Sequence, residues 1–353
     1  MKPIMKPVAI IGAGNSGLAM AAHLAIEGNL VHLWNRRSPT ITPLLESPFI
    51  KVDGVINGDA KLKLVSSDMQ EVVEGASIVL VTTPANAHAE IARVLAPYAT
   101  AEMLIVLNPG RTFGALEFSA KLKEYGCVSN PLVIETQTII YTCRKIHANQ
   151  VSIMAFKHDV FYSAIDHKLN HKIMERFPEC LRPFFIPAPS MIETSIGNVG
   201  MILHCAPVLL NSGWIESPYT QFKYYYEGIT PSVARFLEKL DRERLEVASL
   251  LGHPVESTAA WMRRSYEVEG KNLYACIQNN LAYQTIDAPT TLQHRYILED
   301  VSCGLVPLEA VGRSLGLPMQ MCGLIIDLAN AMLEMDFRKS GRAIDIRSIQ
   351  GEI

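Results

Sequence analysis

The chain lacks the signatures that would place it in several large classes. Its seven cysteines, Cys127, Cys143, Cys180, Cys205, Cys276, Cys303 and Cys322, form no CxxC pair and sit at no zinc-finger spacing from a histidine. An odd, scattered set fits reduced thiols rather than a disulfide framework, and no metal site is expected. Charge of neither sign predominates: 32 Lys and Arg stand against 35 Asp and Glu, a net charge of -3. No Lys/Arg run stands out, which excludes nucleic acid and anionic membrane surfaces as expected partners. No apolar run is read as approaching the roughly 20 residues that span a bilayer. No repeat or low-complexity segment is found.

What is present is apolar and globular. Hydrophobic residues make up 49% of the 353 positions and charged residues 19%. That supports two buried cores, and the length fits two domains. The strand-like run Val8 to Ile11 comes at once and leads straight into a glycine motif. The start is therefore read as part of the fold, without a secretory leader, and a cytoplasmic location is expected.

The first half alternates strand-like and helix-like runs. Val8–Ile11, Val31–Trp34, Ser77–Thr83 and Met103–Leu107 read as short apolar strands. Ser16–Glu27 reads as an amphipathic helix, and Ala87–Leu95 as another helix. Lys51–Val65 is less regular and suggests a small hairpin. Strand-like runs continue at Leu132–Tyr141 and Val151–Phe156. Apolar strands separated by helices imply a parallel sheet covered on both faces. Pro183–Pro189 reads as a linker. Beyond it, helical periodicity dominates, most clearly over Pro231–Leu251, with Thr230 as N-cap and Pro231 at the first helical position. A late helix covers Cys322–Leu333. The expected fold class is α/β: an N-terminal Rossmann-type, doubly wound parallel sheet over residues 1–189, then an all-helical C-terminal domain over 190–353.

Gly12-Ala13-Gly14-Asn15-Ser16-Gly17 fits GxGxxG between a strand and a helix, the context that a dinucleotide site requires. The first glycine turns, the second admits the pyrophosphate, and the third lets the helix pack on the sheet. Gly12, Gly14, Asn15, Ser16 and Gly17 are the expected cofactor contacts. An NAD enzyme usually ends its second strand in Asp or Glu, which binds the ribose 2′-OH. Here the strand ends in Asn35-Arg36-Arg37. Two guanidiniums can hold a 2′-phosphate and no carboxylate repels it, so NADP(H) is favoured, with NAD(H) as the alternative. Thr82-Thr83-Pro84-Ala85 and Asn108-Pro109-Gly110-Arg111 each end a strand at the edge where dinucleotides lie. Thr83 and Pro84 are taken as further cofactor contacts, although each turn taken alone reads rather as a plain strand ending.

In the second half, His204 shares one side of a helical stretch with Gly197 and Gly200, three and four residues apart. Small residues there would let another group approach, although a histidine beside an apolar face is more often a hydrogen-bonded core residue. Arg295 could hold a carboxylate in a bidentate pair, and Asp300 could orient an imidazole. Taken alone, Arg295-Tyr296-Ile297-Leu298-Glu299-Asp300 reads rather as a surface ion-pair cluster.

Together these segments resemble the opine dehydrogenase family, the octopine and nopaline type. The match is carried by Gly12–Gly17, by Asn108–Phe118, by Glu135–Arg144, by Asn198 through His204, Pro207 and Gly213 to Tyr226–Val233, and by Arg295–Pro307. It spans nearly the whole chain, and the middle motifs are more specific than the glycine loop. The resemblance implies a Rossmann domain joined to a helical domain, with the active site in the cleft between them. It also implies reductive condensation of an amino acid with a 2-oxo acid, such as pyruvate, at the expense of NAD(P)H. It implies His204 as acid/base, Asp300 as its partner, and Arg295 and Thr136 as substrate-binding residues. Asn35-Arg36-Arg37 departs from the members that carry an acidic residue there and use NAD. Residues near Tyr224–Tyr226 or Trp261 are candidates for reading the amino-acid side chain, although that aromatic cluster reads more readily as packing. A homodimer through the helical domain is one candidate assembly.

Two other readings compete. A simple 2-oxo acid or ketopantoate-type reductase would place a lysine early in the second domain, yet no Lys occurs between Lys172 and Lys223. A non-catalytic redox sensor would need the glycine loop but not His204, Arg295 and Asp300 together.

Overall fold

A computed structural model describes residues 6–36, 41–344 and 349. The chain divides into two compact units. The first holds the residues up to Gly110 and Gly114–Thr194; the second holds Arg111–Phe113 and the chain from Ser195 onward. The division at Thr194/Ser195 lies a few residues beyond the expected 189/190, and three residues of the N-terminal half belong with the C-terminal unit.

Among the described residues the first unit is built on twelve strands: β1 (Val8–Ile11), β2 (Val31–Trp34), β3 (Phe49–Gly54), β4 (Gly58–Lys61), β5 (Leu64–Ser66), β6 (Ile78–Val81), β7 (Leu104–Leu107), β8 (Leu132–Thr136), β9 (Tyr141–His147), β10 (Gln150–Phe156), β11 (Val160–Ala164) and β12 (Phe185–Pro187). Eight of them form one sheet in the order β12-β11-β8-β7-β6-β1-β2-β5. The six from β8 to β5 are parallel. Strands β1, β6 and β7 are buried at every position, as continuous Val/Ile/Leu runs under helices on both faces must be. The expected parallel sheet is formed by these six; β11 adds to its edge antiparallel to β8, and β12 follows β11. The proline-rich stretch is not a linker. Its Phe185–Pro187 is edge strand β12, paired with β11, and an edge is where a strand tolerates proline.

The remaining strands form a second sheet in the order β4-β3-β10-β9. The Lys51–Val65 hairpin is therefore real, as β3 and β4, but β10 joins it from a hundred residues away. This sheet explains a second departure. Helix Asn15–Ile26 is not amphipathic: Gly17 to Leu24 are all buried. Ala19, Ala22, Ile50, Val52, Ala60 and Val151 share one apolar core, so the small sheet covers the helix face that would otherwise meet water.

The second unit is helical among the described residues, apart from a lone bridge between Lys223 and Asp287. Its longest helix is Pro231–Leu250, and Thr230 Oγ1 accepts from Val233 N as the N-cap motif requires. Asp241 and Arg244 lie on the buried side of that helix with every charge answered. Arg244 donates to Asp241 Oδ1, Ile196 O and Glu256 O, while Thr258 N donates to Asp241 Oδ2. Met191–Leu210 corrects the statement that no apolar stretch reaches spanning length. It is 20 residues long and apolar enough by composition, but 89% of the 18-residue window that qualifies is buried inside the protein. It also breaks into helices Met191–Ser195, Gly200–Leu203 and Cys205–Leu210. It is core.

Candidate functional site

The glycine loop follows β1 and opens helix Asn15–Ile26. Gly12 has φ +111°, which favours glycine. A Cβ on Gly17 would fall 1.8 Å from Gly12 O, so only glycine lets the helix seat against the turn. At Gly14 a Cβ would meet nothing within 4 Å, and this residue is exposed. That is the open approach a pyrophosphate needs. The helix has no side-chain cap at Gly14 and no acidic residue in its first turn, so its positive end is not already satisfied by the protein. These residues fit a dinucleotide.

Neighbouring groups fix the loop's shape. Thr82 Oγ1 faces the carbonyls of Ile11 (3.0 Å) and Gly12 (3.2 Å). Asn35 Oδ1 accepts from Ala13 N at 3.2 Å, so this residue braces the loop as well as ending β2. Arg36 is exposed, and Arg37 lies outside the described residues. Thr83 Oγ1 is a buried atom without a hydrogen bond in the structure, and Pro84 is exposed ahead of a short helical turn at Ala85–Ala87.

One residue of this site was missed in the sequence. Lys145, on β9, donates through Nζ to Ala13 O (3.2 Å), and its backbone N–H donates to Asn15 Oδ1 (3.0 Å). Burial pulls its ammonium below the ordinary lysine range. The second sheet thus lays a cation against the glycine loop, 130 residues away in sequence. No local pattern around Lys145 signals this.

Thr136 is completely buried, and its hydroxyl donates to Leu107 O at 3.2 Å. It ties the ends of β7 and β8 together. Arg111 departs from its reading as part of a cofactor-contacting turn. It is buried in the second unit, where it donates to Asn198 Oδ1 (3.1 Å) and Glu299 Oε1 (3.0 Å) and pairs with Asp300 Oδ1 (3.3 Å).

His204 and Asp300 do meet. Asp300 Oδ2 lies 2.7 Å from His204 Nδ1. A carboxylate can only accept, so Nδ1 carries the proton and Nε2 is left for other chemistry. Asp300 is almost fully buried, whereas the His204 side chain is 19% exposed. A π-helical turn, Val301–Leu305, begins just after Asp300, a distortion often found at functional positions.

Local structure explains why His204 projects. It sits between helices Gly200–Leu203 and Cys205–Leu210 with φ -106° and ψ -68°. Pro207 has no N–H to give to Leu203 O, four residues back. Buried Tyr224 makes good the loss: its hydroxyl reaches Leu203 O at 3.3 Å and also bonds His204 O. Tyr224 therefore supports the histidine's backbone, while Tyr225 stacks on Tyr283 and Trp261 packs on Tyr266. The rings of that cluster pack on one another.

Arg295 is about half exposed. Its Nε and Nη2 both donate to Glu299 Oε2, at 3.1 and 2.6 Å. One edge of the guanidinium is thus held one helical turn away, and the rest faces outward. Tyr296, between them, stacks on the His204 ring at 4.1 Å with an 11° tilt. His294 caps the helix, accepting from Tyr296 N. Burial first, then the Arg295 and His204 charges, push His294 below its ordinary value, which suits an acceptor that must stay neutral.

Comparisons with known proteins point the same way. Residues 187–333 match the family profile described as NAD/NADP octopine/nopaline dehydrogenase, alpha-helical domain. Residues 7–110 match that of the NAD-dependent glycerol-3-phosphate dehydrogenase N-terminus. An opine dehydrogenase of Arthrobacter sp. (strain 1C) is 36% identical over 347 residues, which is 98% of this chain and 96% of that protein. The chain belongs to the opine dehydrogenase family. Members of this family are NAD(P)-dependent oxidoreductases that act on CH–NH donors. A second relative, protein ocs of Agrobacterium tumefaciens (strain Ach5), is 26% identical over 98% of this chain and 96% of its own length. The fold recurs in yersinopine dehydrogenase bound to NADP+ (TM-score 0.80, 15% identity, 99% and 96% of the two chains). It recurs again in octopine dehydrogenase with NADH and agmatine (TM-score 0.78, 19% identity, 98% and 94%).

Proposed function

We propose that this opine dehydrogenase condenses an amino acid with a 2-oxo acid such as pyruvate and reduces the product to a secondary amine, reversibly, with His204 as the acid/base. The observation that carries the assignment is the 2.7 Å pair of His204 Nδ1 and buried Asp300, which leaves Nε2 available to a substrate. The related octopine dehydrogenase has been solved with L-arginine and with pyruvate, which supports an amino acid and an oxo acid as the substrate classes.

The amine attacks the carbonyl carbon of the oxo acid, and the resulting hydroxyl must leave as water. His204 Nε2–H gives that oxygen its proton, and the C–O bond breaks to form the imine. Asp300 stabilises the imidazolium before this transfer and keeps the neutral ring in the Nδ1–H tautomer after it. The outward part of Arg295 holds the oxo-acid carboxylate, while Glu299 fixes the guanidinium's other edge. When bound, the nicotinamide supplies the hydride that reduces the imine carbon. In the reverse direction neutral His204 takes the proton back from the attacking water.

Gly12, Gly14, Asn15, Ser16 and Gly17 would hold the cofactor, with Thr83, Pro84 and Lys145 beside them. NADP(H) is the preferred form. Asn35 puts no carboxylate at the end of β2, and Arg36 offers an exposed cation there. A cytoplasmic location is supported by seven free thiols. A homodimer through the helical unit is supported by the exposed Leu210, Trp214 and Tyr219, and sedimentation equilibrium tests it.

The test of the reaction is cofactor oxidation at 340 nm, with NADPH and NADH, against paired 2-oxo acids and amino acids. Oxidation that requires both substrates is expected. Oxidation driven by an oxo acid alone would make the protein a simple reductase. Unchanged turnover in His204→Ala would refute the acid/base assignment.

A further inference from the structure

Between the residue that would hold the substrate and the residue that would move the proton, charges alternate without a gap. Arg295 is bonded to Glu299 Oε2, and Glu299 Oε1 is bonded to Arg111. The same guanidinium pairs with Asp300 Oδ1, and Asp300 Oδ2 is bonded to His204. Glu299 and Asp300 are consecutive carboxylates, and each side chain is only 1% exposed. Two buried like charges side by side cannot both stay ionised unless a cation answers them. Asp300 Oδ1 is a buried atom with no aligned hydrogen bond, so the Arg111 charge is what it has.

We infer that Arg111 is a positioning residue for the reaction: it holds Glu299 and Asp300 ionised and aimed, and so sets both the Arg295 carboxylate clamp and the His204 proton transfer. The inference rests on the assignment of His204 and Asp300 above. Three further observations bear on it. Arg111 is aimed from a left-handed backbone, φ +61°, and Phe113 two residues on has φ +58°. An arginine in that conformation is uncommon and marks a constrained position. The segment is pinned on both sides: Thr112 N donates to Cys303 O, Arg342 donates to Thr112 O, and Phe113 N donates to Ser195 Oγ. Finally, Gly200 is where a side chain would intrude. A Cβ there would lie 2.5 Å from Arg111 Nη1 and 3.2 Å from Asp300 Oδ1. Asn198 completes the seat, since its Oδ1 accepts from both Arg111 Nη1 and Gly200 N. Burial alone would weaken the Arg111 charge, but Asp300 and Glu299 outweigh it and raise the guanidinium above its ordinary value.

The test uses the full-length enzyme and reads kcat and KM in both directions across pH, with thermal stability measured alongside. In Arg111→Met, kcat should fall by about 10²-fold, the scale of a misplaced acid/base group. KM for the 2-oxo acid should rise several-fold as Arg295 loses its brace. The pH limb that reports the acid/base group should move down by about one unit, because Asp300, left without its cation while Glu299 keeps Arg295, takes up a proton and the imidazolium loses its partner. Arg111→Lys, which keeps the charge but not the fork, should keep the limb and lose part of kcat. Gly200→Ala pushes the guanidinium aside and should displace the limb as Arg111→Met does. It carries the test if Arg111→Met does not fold. A purely structural Arg111 would lower thermal stability and leave the limb and KM in place in both Arg111→Met and Gly200→Ala, which would overturn the inference. The parent assignment fails by a different result, native turnover in His204→Ala.

Discussion

Replacing Asp300 with Asn changes one oxygen to an NH2 and leaves the side chain's shape intact. Its consequence can be worked from the pair with His204. The carboxylate stabilises the imidazolium that precedes proton transfer to the departing hydroxyl. Two unit charges about 4 Å apart at an effective dielectric near 20 interact by about 4 kcal/mol. At about 1.4 kcal/mol per decade, that is about 10³-fold in rate. Asparagine adds a second defect. Its NH2 can face Nδ1 as a donor, which moves the ring proton to Nε2 and leaves neutral His204 unable to act as a base there. Asp300→Asn should therefore lower kcat by about 10³-fold or more in both directions, while NADPH binding, proposed above to use residues of the other unit, stays within about twofold. Initial rates at 340 nm with saturating oxo acid and amino acid give the first number, and NADPH fluorescence titration gives the second. A loss of less than about tenfold in kcat would refute the claim that the dyad carries the proton chemistry. A loss confined to KM would mean that Asp300 belongs to substrate binding instead.

Two further changes test the cofactor end. Lys145→Met should raise KM for NADPH about tenfold, the worth of one partly exposed charge-assisted contact, and leave kcat and the melting temperature nearly unchanged. An effect on melting temperature alone would make Lys145 a strut for the glycine loop. Asn35→Asp keeps an oxygen for Ala13 N but adds a negative charge at the end of β2, so the ratio of kcat/KM for NADPH to that for NADH should fall by at least about tenfold. An unchanged ratio would remove Asn35 from cofactor choice.

What could be read from the sequence was whatever local pattern encodes. The short apolar strands, the glycine loop and the Thr230–Pro231 helix start are each specified within a few residues. His204, Arg295 and Asp300 were singled out for another reason: their motifs resemble a family, since spacing alone left them as core histidine and surface ion pair. The departures share one cause, which is long-range contact. Helix Asn15–Ile26 lost its amphipathic character because a sheet completed by β9 and β10 covers it. Lys145 reaches the glycine loop through that same sheet. Arg111 closes a strand in sequence yet is buried against Asn198, Glu299 and Asp300, as many as 189 positions away along the chain. Thr136 sits inside a strongly matching motif, but the match cannot tell a hydroxyl that meets a ligand from one that ties two strand ends. Tyr224 is the same lesson from the packing side. The missing N–H of Pro207 is visible in the sequence, whereas the hydroxyl that compensates for it, and so fixes His204, becomes visible only when the helices are in place.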